Sequence, residues 1–165
     1  MSKKLAVLLI MLAMAFSFNV SVLAADTNII YGEKSNTKVY DNPLTVNQIF
    51  TAFEMQPQRA CLAYIVNYSF TSADMSSPFY ISTGRVRVNY AHTASTNGTV
   101  TAKLVNYNNG AESMPITISG TAGQGKTTTL NWYQVPTGDW RLRLDLRPTA
   151  PYSNPWSVRA DIFDG

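Results

Sequence analysis

From residue 140 to 147 the chain alternates strictly, with Trp140, Leu142, Leu144 and Leu146 on one parity and Arg141, Arg143, Asp145 and Arg147 on the other. Successive side chains of a strand point to opposite sides of the pleat, so this pattern describes a strand with one packed face and one wet face. Val86, Val88 and Tyr90 alternate in the same way with Arg85, Arg87 and Asn89, and Val158, Ala160 and Ile162 with Arg159 and Asp161. Runs at 60–70, 99–107, 114–119 and 127–135 are rich in Val, Ile, Thr and aromatic residues, which favour a pleated, half-buried surface. At least seven strands are predicted.

Turn chemistry separates these runs. Asn97-Gly98 supplies the residues of a tight hairpin turn, and Val135-Pro136-Thr137-Gly138 has the spacing of a type I turn. Gly120, Gly123 and Gly125 likewise predict a flexible hairpin, so the flanking strands are expected to be antiparallel neighbours. One segment departs from the β pattern. Thr45 and Gln48 match a helix capping box, and Val46, Ile49, Phe50 and Phe53 follow helical spacing before Pro57, which predicts one short helix near residues 46–55. The fold class is all-β: a two-sheet antiparallel β-sandwich, immunoglobulin-like or jelly-roll in form.

The first residues change the reading of charge and location. Lys3 and Lys4 precede an apolar run from Leu5 to Phe18, and Val22-Leu23-Ala24 has the small-residue spacing of a cleavage site. Residues 1–24 are therefore expected to be a signal peptide and 25–165 a single secreted domain, extracellular or periplasmic, with no transmembrane anchor in the mature chain. The formal net charge of +3 overstates the mature protein, because cleavage removes two of the 13 basic residues and leaves 11 against 10 acidic ones. That balance gives no support to a nucleic-acid partner, which calls for a clustered basic surface.

Candidate chemistry is sparse. GTAGQGKT at 120–127 satisfies the phosphate-loop pattern G-x-x-x-x-G-K-[ST], but a working loop needs a helix after it to hold phosphate on its N-terminal amides. Thr127-Thr128-Thr129-Leu130-Asn131-Trp132-Tyr133 is β-branched and aromatic and predicts a strand instead, so no nucleotide is expected. Cys61 is the sole cysteine and lies in an apolar run, which excludes an intramolecular disulfide and describes a buried, unactivated thiol. His92 is the sole histidine and is expected to face solvent, which leaves no Cys–His dyad, zinc cluster or triad. Asp145 and Asp161 are expected to neutralise neighbouring arginines rather than flank a scissile bond. No catalytic residue, cofactor or metal site is assigned, and the chain is read as a non-enzyme.

Recognition is what is left. In Arg147-Pro148-Thr149-Ala150-Pro151-Tyr152-Ser153-Asn154-Pro155-Trp156, three prolines stiffen a segment carrying two aromatic residues. Tyr152 and Trp156 are the candidate ligand-binding residues, able to stack on sugar rings; the alternative for Trp156 is a plug at one end of the core. Asn106, Asn108, Asn109 and Gly110 form a second candidate rim, of a composition that an ordinary turn also requires. Arg85, Arg87, Arg141, Arg143 and Arg159 are expected on solvent-facing sides of strands, forming a basic face if they share a sheet. The leading function is a secreted, non-catalytic binding module for a glycan or anionic cell-envelope polymer. The alternatives are a structural or self-associating surface protein and a secreted effector.

Overall fold

The computed structural model describes residues 29–41, 62–148 and 155–165; the helix expected near 46–55 and Cys61 lie outside them. The described residues form ten strands in two antiparallel sheets: β1 (Tyr31–Tyr40), β2 (Ala63–Phe70), β3 (Ala73–Met75), β4 (Phe79–Ile81), β5 (Arg85–Thr93), β6 (Gly98–Asn106), β7 (Ile116–Gly120), β8 (Gly125–Tyr133), β9 (Gly138–Pro148) and β10 (Trp156–Asp164). The first sheet has the order β1-β8-β5-β10-β2. The second runs β3-β9-β6-β7, with β4 also paired to β9.

The period-two patterns translate directly into facing. Trp140, Leu142, Leu144 and Leu146 of β9 are buried against Val86, Val88 and Tyr90 of β5 and Val158, Ala160 and Ile162 of β10, and together they make one core between the sheets. Trp132, Trp140 and Trp156 are its largest fully buried side chains. Fully burying a large apolar side chain is worth about 1.5–3 kcal/mol, so these inward rows supply the driving force that fixes which face of each strand is wet.

The connections differ from the hairpins that local turn chemistry predicts. β5 belongs to the first sheet and β6 to the second, so Asn97-Gly98 lies in an arch between sheets and not in a hairpin. The same holds for the glycine-rich segment between β7 and β8 and for Val135-Pro136-Thr137-Gly138 between β8 and β9. Neither Asn97 nor Gly98 has a positive φ; Gly123, Gln134 and Gly138 do. The physical reason is that Gly, Pro and Asn permit a sharp bend in any direction, whereas the plane of the bend is set by which sheet buries the next apolar row.

The arches brace one another. At one end, residues 94–97 and 121–124 run side by side, joined by Ala94 N–H to the Gln124 carbonyl (2.9 Å), Gly123 N–H to the Ala94 carbonyl (2.8 Å) and Ala122 N–H to Asn97 Oδ1 (2.9 Å). At the other, Val135 N–H reaches the Gly84 carbonyl (3.0 Å), and the Asp164 carboxylate accepts the backbone N–H and hydroxyl of both Ser82 and Thr83. Burial alone would raise the Asp164 pKa, but these hydrogen bonds outweigh it and hold the carboxyl below its ordinary value.

β3 and β4 form one interrupted edge along β9. Met75 lies opposite Arg143 and Phe79 opposite Trp140, and Ser76 spans the break. The Ser76 N–H donates to the Leu142 carbonyl (2.9 Å), and its Oγ accepts the Leu142 N–H (2.9 Å) in place of a ladder carbonyl.

Candidate functional site

Of the two aromatic residues singled out in the proline-framed segment, Trp156 is 0 % exposed and Tyr152 lies outside the described residues. Trp156 therefore takes its core alternative: it opens β10 beneath the paired arches, stacks on His92 at 4.8 Å between ring centroids, and donates from Nε1 to Thr96 Oγ1 (3.3 Å). This corrects its assignment as a sugar-stacking residue. Pro155 precedes it with its carbonyl held by the Ser95 hydroxyl (2.8 Å), so the chain enters β10 already turned inward.

His92 is also buried, contrary to the expected solvent-facing imidazole. It shares the inward parity of Val88 and Tyr90 on β5, and it lies between Trp156 and the Tyr90 ring, 5.5 Å away. Neither ring nitrogen has a hydrogen-bond partner among the described residues. Burial, and then the nearby Lys126 charge, push its pKa down to about 3, so at neutral pH it is an uncharged aromatic filler.

The phosphate-loop match has a packing explanation. Gly120 ends β7 where a Cβ would come within 2.3 Å of Trp156 Cη2, so the position must be glycine for the indole to seat. Gly123 has φ +77°, within the arch, and Gly125 opens β8 directly, with no helix between. Lys126 Nζ donates to the Ser119 carbonyl and to Ser119 Oγ (3.2 Å), pinning β8 to β7 across the seam. We expect Lys126→Ala to shift stability by about 1 kcal/mol at most, and ATP with magnesium to leave the Tm of the native protein unchanged. A saturable rise in Tm with ATP, lost in the variant, would restore a nucleotide role.

The arginines face solvent-side parities but do not form one basic face. Arg85, Arg87 and Arg159 lie on β5 and β10 of the first sheet, whereas Arg141 and Arg143 lie on β9 of the second. Arg143 pairs with Asp145 (2.9 Å) and Arg159 with Asp161 (3.2 Å), as the alternation predicted. Arg85, Arg87 and Arg141 cover the rings of Tyr133, Phe163 and Tyr107 at 4.9, 4.9 and 4.5 Å.

The outer face of the second sheet carries an arrangement that sequence reading passed over. Tyr80 of β4 stands opposite Asp139 of β9, and the Tyr107 N–H donates to the Asp139 carbonyl from the other side (2.8 Å). Phe79 and Ile81 are buried, so Tyr80 points outward, and Asp139 and Arg141 do the same because Trp140 between them is buried. The result is a row Tyr80–Asp139–Tyr107 from β4, β9 and the turn that follows β6, with the tyrosines 56 % and 53 % exposed. Two strand spacings put their backbones about 10 Å apart, a separation that a short oligosaccharide can bridge.

This row is rigidly supported. Trp140 lies beneath it and donates from Nε1 to the Pro136 carbonyl (2.9 Å). The asparagine-rich rim forms an ordinary turn: Asn106 Oδ1 accepts the N–H groups of Asn108 (3.0 Å) and Asn109 (3.1 Å), and Asn109 Oδ1 accepts that of Ala111 (2.9 Å). The exposed aromatic residue inside that turn, Tyr107, is what the asparagines present. The signal available in the sequence was Phe79-Tyr80-Ile81, a polar-tipped aromatic between two apolar residues, together with a tyrosine in a turn.

Beside the row, the seam between edge strands β2 and β3 opens into a cleft of about 530 Å³ lined by Leu62, Tyr64, Asp74, Met75 and Ser77 among others. Met75 links the two features, since its Sδ lies 3.8 Å from Arg141 Nη1. Among the described residues no group of three or more His, Cys, Asp or Glu side chains is placed to hold a metal ion.

No family model matches the chain, and no curated protein matches it. Among solved structures, the chain is similar to TmCBM61, determined in complex with β-1,4-galactotriose, at 15 % identity over 78 % of this chain and 85 % of that one, with a TM-score of 0.24.

Proposed function

We propose that this chain is an exported, non-catalytic domain that binds a glycan across the outer face of its second sheet. The observation that carries the reading is the row Tyr80–Asp139–Tyr107, in which two half-exposed tyrosines flank a carboxylate on a rigid surface. Tyrosine rings offer a large apolar face at low entropic cost and stack on the C–H face of a pyranose, and a carboxylate between them accepts hydrogen bonds from sugar hydroxyls. Tyr80 and Asp139 stand on strands, which hold a site more accurately than loops do, and Tyr107 stands in a turn fixed by the Asn106 side chain and by its own N–H to Asp139.

The edge of the first sheet argues for this reading over self-assembly. β1 is exposed along most of its length, yet its pairing shifts register between Ser35 and Lys38, Asn36 has φ 50°, and Lys34 and Lys38 are on the strand. A bulged, lysine-bearing edge is a poor template for another strand.

A pull-down of the mature protein against a panel of immobilised glycans and cell-envelope fractions tests the reading, with Tyr80→Ala and Tyr107→Ala as variants. Each variant should lose about 30-fold in affinity for the captured glycan, the scale of a hot-spot residue, while its Tm stays close to that of the native protein. Capture of no glycan, or capture by both variants as strong as by the native protein, would overturn the site.

A further inference from the structure

We infer that the glycan is acidic, a chain bearing hexuronate residues, and that Arg141 is the residue that selects its carboxylate; this rests on the glycan-binding reading above. The cations of this face are not equivalent. Lys103 is paired with Glu112 at 2.7 Å and Arg143 with Asp145 at 2.9 Å. Arg141 has no carboxylate partner among the described residues. Its guanidinium lies over the Tyr107 ring at 4.5 Å, its Nη1 meets only the weak acceptor Met75 Sδ, and its Nε is buried with no hydrogen-bond partner among the described residues. The buried Nε is out of reach of a surface ligand, but the two Nη groups, held in place by an aromatic ring and bonded to no oxygen acceptor among the described residues, are prepared for a bidentate anion.

The surroundings narrow the anion to a sugar carboxylate. Tyr80 and the face of Tyr107 not covered by Arg141 offer ring surface, which an open-chain phosphate polymer has nothing to stack on, whereas a hexuronate carries its carboxylate directly on a stackable ring. Asp139 lies between the tyrosines and Arg141 two residues along the same strand face, so the row is polarised: hydroxyls are favoured toward Asp139 and the carboxylate toward Arg141. The charge of Asp139 disfavours a second carboxylate at the centre of the row, which sets the register of the chain on the tyrosines.

Trigalacturonate and its methyl ester have the same rings and differ in charge, and titration of the native protein with each tests the inference. The acid should bind about tenfold more tightly than the ester at low salt, the scale of one charge-assisted pair, and the difference should shrink at high salt. Arg141→Gln should bring the acid down to the ester's affinity, and Tyr80→Ala should weaken both. Equal binding of acid and ester, a preference that survives Arg141→Gln, or competition by poly(glycerol phosphate) as strong as by the uronate would each overturn the selection of a sugar carboxylate. If the pull-down yields a neutral glycan and neither galacturonate binds, the acidic ligand is refuted and the glycan site stands; if no glycan binds at all, both fall.

Discussion

Trp156→Ala should cost about 3–5 kcal/mol of stability, the range found when a large aromatic residue is removed from a packed core. The indole is 0 % exposed, closes the core beneath two arches, and is held by Thr96 on one edge and by His92 across its face. The complementary change, Gly120→Ala, should cost about 1–3 kcal/mol by overpacking, because the added methyl lands 2.3 Å from Cη2. The two sites are in contact, so their effects should not add: in a Trp156→Phe background the smaller ring gives the alanine room, and Gly120→Ala should become nearly neutral. Denaturant midpoints of the three variants and their combination measure this. An unchanged midpoint for Trp156→Ala would mean that the side chain lies at the surface and would return it to the list of ligand contacts.

Acid should destabilise the protein well above the range in which carboxylates titrate. His92 has a folded pKa of about 3 against an ordinary 6.5, so the folded state takes up its proton less readily than the unfolded chain. For a basic group with a depressed folded pKa, stability is complete above 6.5 and falls as pH drops through the window from 6.5 to about 3. The slope is roughly 1.4 kcal/mol per pH unit, or about 3 kcal/mol between pH 6.5 and 4. Asp164, whose pKa is lowered, adds its own loss only at the acid end, below the usual carboxylate value of 3.8. The two are separable: His92→Leu should flatten the stability profile from pH 6.5 to 4 and leave the steeper fall below it. A native protein equally stable at pH 7 and pH 4.5 would show that the imidazole accepts a proton in place.

The sequence pattern reported facing well because burial enforces parity, and a one-residue slip of β9 would expose Trp140, Leu142, Leu144 and Leu146 together. β5 and β10 were legible for the same reason. β1 was not: Tyr31-Gly32-Glu33-Lys34-Ser35-Asn36-Thr37-Lys38-Val39-Tyr40 shows no alternation, since the strand is held mainly by its ladder to β8 and buries little. β3 and β4 are three residues each and leave too short a record for a period. The partner of each strand was hidden as well, because an arch and a hairpin use the same Gly, Asn and Pro residues. That loss carried over to the site. Tyr80, Asp139 and Tyr107 are brought together only by the ordering β4-β9-β6, and no local spacing relates them. Trp156 was drawn into the candidate site by its prolines, whereas its position was decided by a glycine thirty-six residues earlier.

Among the described strands, β6 and β7 alone are both consecutive in the chain and paired; every other ladder joins strands with at least one strand between them. β1 must wait for β8, and β2 for β10. The chain therefore closes long loops before most contacts reward it, and this kind of topology places folding in the millisecond-to-second range rather than the microsecond range. Until β10 arrives, the first sheet lacks the strand that joins β2 to β5 and the core lacks Trp156. If residues 1–24 act as the export leader expected from the sequence, slow closure would be an advantage, because β10 completes the two-sheet core and the strands before it would stay threadable until it arrives.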